Sequence, residues 1–161
     1  MKIKLGLIAL AAFFVISSCK KDSTEDPAPT TPTNTITTAA LTANFWERTG
    51  FTSSPAIDYY NNGHVVTDVY ALMDTCAQDF HYKFNSGGSY TNGVSINCTF
   101  PIYNSGAWSL DSVNSKLNLV SSTSVATQYS IITLNTNTLK VSSVEIRSGV
   151  SYTFTQTFTK E

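Results

Sequence analysis

The sequence predicts an all-β domain: a single antiparallel up-and-down β-barrel of about eight strands, with one short helix in its first long connection. After residue 41, short runs of alternating apolar and polar residues are rich in Trp, Tyr, Phe, Val and Thr, and Gly, Asn, Ser and Asp separate them. This pattern is typical of strands joined by tight turns. Consecutive hairpins favour an antiparallel meander, and eight strands can close on themselves so that no edge stays exposed.

The individual strands are predicted from this alternation. It is clearest at 79–85, where Phe80, Tyr82 and Phe84 share one face, and Ser86-Gly87-Gly88 then supplies the residues of a turn. The other strands are predicted at 45–52, 89–96, 106–110, around Leu117 and Leu119, and at 129–134, 139–146 and 152–159.

Two local features interrupt the predicted strands. In the connection after the first strand, apolar residues with helical spacing predict a helix at 67–75. Between Val141 and Val144 the apolar phase slips, which indicates a β-bulge near Ser142-Ser143.

The first 18 residues predict a signal peptide. A short basic start precedes about a dozen apolar residues at 5–16, fewer than the roughly 20 that a membrane-spanning helix needs. Ile16-Ser17-Ser18-Cys19 resembles the lipobox of bacterial lipoproteins. This resemblance implies that residues 1–18 are removed and that Cys19 carries the lipid. An ordinary signal peptide that is cut elsewhere is the alternative.

A lipidated Cys19 implies a membrane partner, reached through the N-terminal acyl chains, because two or more chains anchor a protein stably. The expected location is the bacterial cell envelope, as an outer-membrane lipoprotein in the periplasmic or the surface-facing leaflet. Residues 19–40 are predicted to be the lipidated cysteine and a disordered tether rich in Pro and Thr. Its residues 23–40 would reach roughly 55 Å at about 3.1 Å per residue. Residues 41–161 are the predicted barrel domain.

Composition and motifs argue against several functions. The net charge is −1 and charged residues make up only 13% of the chain, so we expect no nucleic-acid partner, since such partners need clusters of cations. His64 and His81 lie in no recognisable nucleophile or metal motif. We therefore expect no enzymatic activity, no metal and no cofactor. We also expect a monomer.

Cys76 and Cys98 are the cysteines that remain after Cys19 is assigned to the lipid. The compartment beyond the inner membrane is oxidising, so this even pair predicts one disulfide. A disulfide that closes the loop between Cys76 and Cys98 would contribute roughly 3 kcal/mol to stability in the chain-entropy model. A metal site, which would need two further ligands, and free thiols are the alternatives.

The inward face of the predicted barrel is rich in aromatic residues. An eight-stranded barrel is just wide enough to be filled by side chains or to hold one small ligand, so these residues form either a packed core or a pocket for a small apolar or amphipathic molecule. Gln156 is polar on this face and suits a barrel end or a polar contact in a pocket. The candidates are Trp46, Tyr82, Phe84, Tyr90, Trp108, Tyr129, Tyr152, Phe154, Gln156 and Phe158.

A second hypothesis places the function on the surface of a solid barrel. Tyr59, Tyr60 and Tyr70 lie in the 54–75 connection, and loops on a rigid scaffold often carry function. These tyrosines are the candidate contacts of an interaction or carbohydrate-binding module.

A series of short motifs extends through nearly all of 41–161: Cys76-x-x-Asp79, Tyr82-x-Phe84, Gly88-x-Tyr90, Cys98, Gly106-x-Trp108-Ser109-Leu110, Leu117-x-Leu119, Tyr129-x-Ile131 and Phe158-Thr159-Lys160. In these motifs the domain resembles the lipocalin-like domain family of small bacterial lipoproteins. It departs from the family at Asn44-Phe45-Trp46, where Gly-x-Trp is usual, and at Gly87, where Asp is common. The resemblance implies a calycin-type barrel with a disulfide, and it brings no catalytic residues.

Overall fold

The computed structural model describes residues 36–94, 98 and 103–161, most of which lie in β-strands. The helical elements of these ranges are α1 (Thr38–Thr42), a 3₁₀ turn (Tyr70–Leu72) and α2 (Thr75–Gln78). The strands are β1 (Phe45–Asp58), β2 (Val65–Asp68), β3 (Phe80–Phe84), β4 (Ser89–Val94), β5 (Tyr103–Asp111), β6 (Lys116–Ser121), β7 (Ala126–Leu134), β8 (Thr138–Arg147) and β9 (Val150–Lys160).

Eight of these strands close into a barrel. Strands β3 to β9 pair antiparallel in sequence order, and β1 pairs with both β3 and β9. Every barrel strand therefore has two neighbours, which removes free sheet edges along most of the barrel. The extra strand β2 pairs with the end of β1. The predicted all-β class and eight-stranded antiparallel barrel are confirmed.

Two apolar clusters occupy the barrel interior. The first core cluster consists of Leu41, Trp46, Tyr82, Phe84, Tyr90, Trp108, Leu117, Leu119, Ile131, Leu134, Leu139, Val141 and Phe158. The second core cluster consists of Phe51, Ile57, Val69 and Phe154, and Tyr59, Val66, Tyr70, Met73 and Tyr152 pack against it. Most of their residues come from strands, whose period-two alternation sends every second side chain inward, whereas Leu41 belongs to α1 and Val69 follows β2.

The helix α1 extends the ordered domain beyond the predicted boundary. The Thr37 hydroxyl accepts a hydrogen bond from the Ala40 backbone N–H at 3.2 Å, which caps the start of the helix. Leu41 is fully buried in the first core cluster, and its carbonyl accepts from Trp46 Nε1 at 2.8 Å. Residues 38–40, which we expected in the tether, are therefore helical. The signal peptide 1–18, Cys19 and the tether up to residue 35 lie outside the described residues.

The helix predicted at 67–75 is wrong in position. Its first residues belong to β2, because Asp68 and Asp74 each begin a separate short turn. Asp68 Oδ1 accepts from the Ala71 backbone N–H at 3.2 Å, and Asp74 Oδ1 accepts from the Ala77 backbone N–H at 2.7 Å. Such local side-chain capping competes with one continuous helix. The helical residues of this connection are the 3₁₀ turn and α2, and no helix in the described ranges is long and apolar enough to span a membrane.

The bulge predicted near Ser142-Ser143 is also wrong, since β8 pairs with β9 in unbroken register along its whole length. The apolar phase slips because Val144 and Ile146 face outward, 66% and 76% exposed. Irregularities in register lie elsewhere. In β7 the extra residue is Ile132, and in β1 it is Thr49.

The predicted disulfide is present. Cys76 of α2 is bonded to Cys98, with their Cα atoms 5.6 Å apart. It joins the connection that follows β2 to the chain beyond β4. The last predicted residues of the fourth strand, 95–96, lie outside the described residues.

Candidate functional site

A cavity of about 500 Å³ lies inside the barrel, bordered by residues of both core clusters. Its walls combine aromatic rings with a few polar groups. Those that matter most for its chemistry are Arg48, Phe51, Phe80, Tyr129, Phe154 and Gln156. We call this space the barrel cavity.

The barrel cavity opens where β7 and β8 separate. Their pairing extends only as far as Ser130 opposite Ser142. Beyond that pair, residues 126–129 of β7 and 143–145 of β8 line the cavity from opposite sides. The opening is therefore a gap between two strands that are each still paired on their other edge.

Arg48 is a buried cation in the cavity wall. It follows Trp46 by two residues in β1, so both side chains point inward, and it is only 9% exposed. Its Nη2 donates a hydrogen bond to the Ala77 carbonyl of α2. Its Nε is buried and has no hydrogen-bond partner among the described residues.

The charge of Arg48 is only partly compensated. Burial lowers the pKa of its guanidinium, and the groups that oppose this shift are tyrosines, Tyr59 foremost, with no carboxylate among them. The guanidinium lies 4.8 Å from the centre of the Phe80 ring and 5.8 Å from that of Phe51. A desolvated cation–π contact contributes about 2 kcal/mol, whereas an unpaired buried ion costs several kcal/mol. The rings therefore offset part of the cost of burying this charge.

Hydrogen-bonded side chains form a polar row beside Arg48. Burial raises the pKa of Tyr82 well above its usual value. A hydrogen bond with Tyr129 also raises this pKa, whereas a hydrogen bond with Asn92 lowers it. Burial also raises the pKa of Tyr129, against hydrogen bonds with Tyr82 and Gln156. Tyr129 thus connects Tyr82 to Gln156 in this row. Tyr129 and Gln156 also line the cavity, so this row places a hydroxyl and an amide group at the cavity wall.

Glu145, which lines the cavity beside the opening, pairs with Arg147. Glu145 Oε2 accepts from Arg147 Nη2 at 2.9 Å. The Arg147 guanidinium also lies 5.0 Å from the Tyr59 ring and 4.9 Å from the Phe154 ring. Arg147 is thus already engaged, and Arg48 is the cation in the cavity wall without an acidic partner among the described residues.

The predicted core or pocket residues divide between the two interpretations. Tyr82, Tyr129, Phe154 and Gln156 line the barrel cavity. Tyr152 packs against the second core cluster and borders a separate pocket of about 400 Å³. The rest belong to the first core cluster, namely Trp46, Phe84, Tyr90, Trp108 and Phe158. One part of the barrel is thus packed solid, and another part holds space.

The three candidate surface tyrosines do not form one exposed surface. Tyr60 is largely exposed, but Tyr59 and Tyr70 are half-buried, because they pack against the second core cluster. The Tyr59 ring meets Phe51 edge-on at 5.5 Å between centres and lines the barrel cavity. The expectation that Tyr59 and Tyr70 are exposed contacts is therefore wrong.

The sequence analysis missed several inward polar residues, among them Arg48 and Asn92. Each of these two follows a buried aromatic residue by two positions in its strand, Trp46 and Tyr90 respectively, and this spacing was the available signal. The site combines a cation and hydroxyl donors with aromatic walls, as small-molecule sites do. Among the described residues, no group of three or more His, Cys, Asp or Glu side chains is placed to hold a metal.

Fold and site together define a closed antiparallel β-barrel with a polar-lined internal cavity. The chain belongs to the DUF5004 family, a domain of unknown function whose model matches residues 37–159. Among solved structures, the chain is similar to an uncharacterized protein from Bacteroides eggerthii DSM 20697, at 10% sequence identity and a TM-score of 0.45, covering 73% of this chain and 98% of that one. No curated protein matches the chain. Membership of a lipocalin-like family stays a prediction.

Proposed function

We propose that this protein is a lipid-anchored, non-enzymatic protein of the bacterial cell envelope that binds one small apolar or amphipathic molecule inside its barrel. The observation that carries the proposal is the barrel cavity of about 500 Å³. Pockets for small molecules have volumes of about 300–1,000 Å³ and combine apolar walls with a few polar groups. The volume of this cavity lies in that range, and its lining combines aromatic rings with several polar groups.

The location of the space also supports a ligand. Natural cores are packed closely and tolerate few voids larger than a water molecule. The first core cluster fits this rule, because Trp46, Phe84 and Phe158 are completely or almost completely buried in it. The space lies beside that cluster and next to the gap between β7 and β8.

Filling the cavity is expected to abolish binding. Ser143 lines the cavity and pairs with Phe154, whereas its neighbour Ser142 points to the outer face, where it pairs with Thr155. With 1-aminoanthracene, a neutral fluorescent dye, we expect saturable binding to the wild type and at least tenfold weaker binding to Ser143→Phe. The matched control Ser142→Phe keeps wild-type affinity. Fluorescence titration of residues 20–161 measures all three, and equal dye binding by Ser143→Phe would refute the internal site.

The membrane anchor is tested separately through Cys19. The lipobox-like Ile16-Ser17-Ser18-Cys19 precedes the whole described domain, so replacing the cysteine leaves the fold intact. We expect Cys19→Ala to lose incorporation of radiolabelled palmitate and to leave the membrane fraction. The control Ser18→Ala, one residue earlier, keeps both. Palmitate labelling of Cys19→Ala at the wild-type level would contradict the anchor.

A further inference from the structure

We propose that the molecule held in the barrel cavity carries a single carboxylate group, which binds to the guanidinium of Arg48. This inference rests on the proposed function and names the chemical class of its ligand: an amphipathic monocarboxylate, with its acidic group on Arg48 and its apolar part against the aromatic walls.

The first argument is the charge that the fold leaves unmatched. Arg48 is nine-tenths buried in the cavity wall, and its Nε has no hydrogen-bond partner among the described residues. A buried cation is tolerated when a counter-charge and hydrogen bonds accompany it. Arg48 has aromatic rings beside it but no acidic partner in the described part of the chain. A bound carboxylate supplies the missing counter-charge.

The second argument is the nature of the donors. A guanidinium presents five N–H donors in a planar fork that matches a carboxylate, and the Ala77 carbonyl takes one of them. Tyr129 adds a hydroxyl, which can donate one further hydrogen bond. Both residues line the same cavity. The wall therefore offers donors to a ligand, which suits an anionic acceptor and disfavours a cation.

The charge of the ligand is limited to one. Arg147, the other cation near the opening, already pairs with Glu145 at 2.9 Å. Glu145 itself lines the cavity. A second negative charge on the ligand would therefore be repelled by the Glu145 carboxylate, because Arg147 already pairs with Glu145 and is not available to the ligand. A monocarboxylate satisfies Arg48 without this repulsion, whereas a phosphate dianion does not.

A purely structural role for Arg48 is the competing explanation, because its bond to Ala77 ties α2 to the barrel. That role predicts no preference between an acid and a neutral molecule of the same shape. Decanoate and decanol are such a pair, since they share the alkyl chain and differ in the charged group. Their relative affinities therefore separate a ligand-binding arginine from a structural one.

The test measures how strongly decanoate and decanol displace 1-aminoanthracene from residues 20–161, which contain every described contact of the fold. In the wild type we expect decanoate to bind roughly ten- to hundredfold more tightly, the range for hydrogen bonds to a charged group. Arg48→Met should lose this preference and keep its affinity for decanol. Arg48→Lys retains the cation and should retain part of the preference. Lys83→Met is the control, because it removes one positive charge from the outer face beside Phe45.

The possible results separate a failure of the carboxylate assignment from a failure of the proposed function. Equal affinities of the wild type for the two probes overturn the carboxylate assignment, and this comparison stands even if Arg48→Met fails to fold. A preference for decanoate that survives in folded Arg48→Met also overturns it. If the dye binds but neither probe displaces it, the carboxylate is refuted while the proposed function stands. If the dye does not bind either, the proposed function fails as well.

Discussion

Replacing Gly106 with alanine is expected to destabilise the barrel by about 3 kcal/mol or more, the upper range for overpacked sites. A Cβ atom at this position would lie 2.1 Å from the Val120 carbonyl oxygen, 2.8 Å from Tyr90 Cε1 and 3.0 Å from Ser121 Cα. Two of these atoms belong to the backbone of β6, which cannot move aside as a side chain can. The methyl group would therefore force β5 and β6 apart. Urea unfolding followed by tryptophan fluorescence measures the loss.

Gly87 provides the matched control for this substitution. A Cβ at Gly87 would have nothing within 4 Å, and its backbone is not in the left-handed region. We expect Gly87→Ala to change the free energy of unfolding by less than about 0.5 kcal/mol, as surface substitutions usually do. Equal stability of Gly106→Ala and Gly87→Ala would contradict the close approach of β5 and β6.

Replacing Trp46 with alanine is expected to cost about 3–5 kcal/mol, the range for large aromatic residues in a core. The Trp46 side chain is fully buried in the first core cluster. Its Nε1 also donates to the Leu41 carbonyl at 2.8 Å, so the substitution removes the bond that ties α1 to β1. Denaturant unfolding monitored by circular dichroism gives the change.

The adjacent Phe45 is the control for Trp46. It belongs to the same strand but faces outward and is 45% exposed. Phe45→Ala loses the contact of its ring with Lys83, and we expect a cost of about 1 kcal/mol or less. If Trp46→Ala were no more destabilising than Phe45→Ala, the inward orientation of Trp46 would be wrong.

The strands were predictable because each is decided by its own local pattern. Phe80, Tyr82 and Phe84 alternate with polar residues, and no other element is needed to place them on one face. The errors arose where a local pattern has two physical explanations. The phase slip between Val141 and Val144 suggested a bulge, but apolar residues also occur singly on protein surfaces, and Val144 faces solvent here.

The connection between β1 and β3 shows a second kind of limit. Val69, Leu72 and Met73 have helical spacing, and yet Asp68 and Asp74 divide that segment into separate turns. Their capping bonds depend on backbone geometry that the spacing of apolar residues does not contain. Both aspartates were visible in the sequence as residues that favour helix starts.

The cavity could not be located from sequence, because its existence depends on side chains from several strands. Tyr82 of β3, Tyr129 of β7 and Gln156 of β9 meet in the barrel and leave space that no single strand pattern reveals. Arg48 is a different case. A lone arginine in a strand is usually exposed, and only its phase with Trp46 indicated that it points inward.

Native mass spectrometry of residues 20–161, secreted through the envelope of a bacterial host, tests most directly whether the barrel cavity holds a ligand. We expect the wild type to carry an added mass that denaturation removes. The same mass should be present on Ser142→Phe and absent from Ser143→Phe. A wild-type barrel that stays bare even after incubation with decanoate and 1-aminoanthracene, or an added mass that Ser143→Phe retains, would contradict an internal binding site.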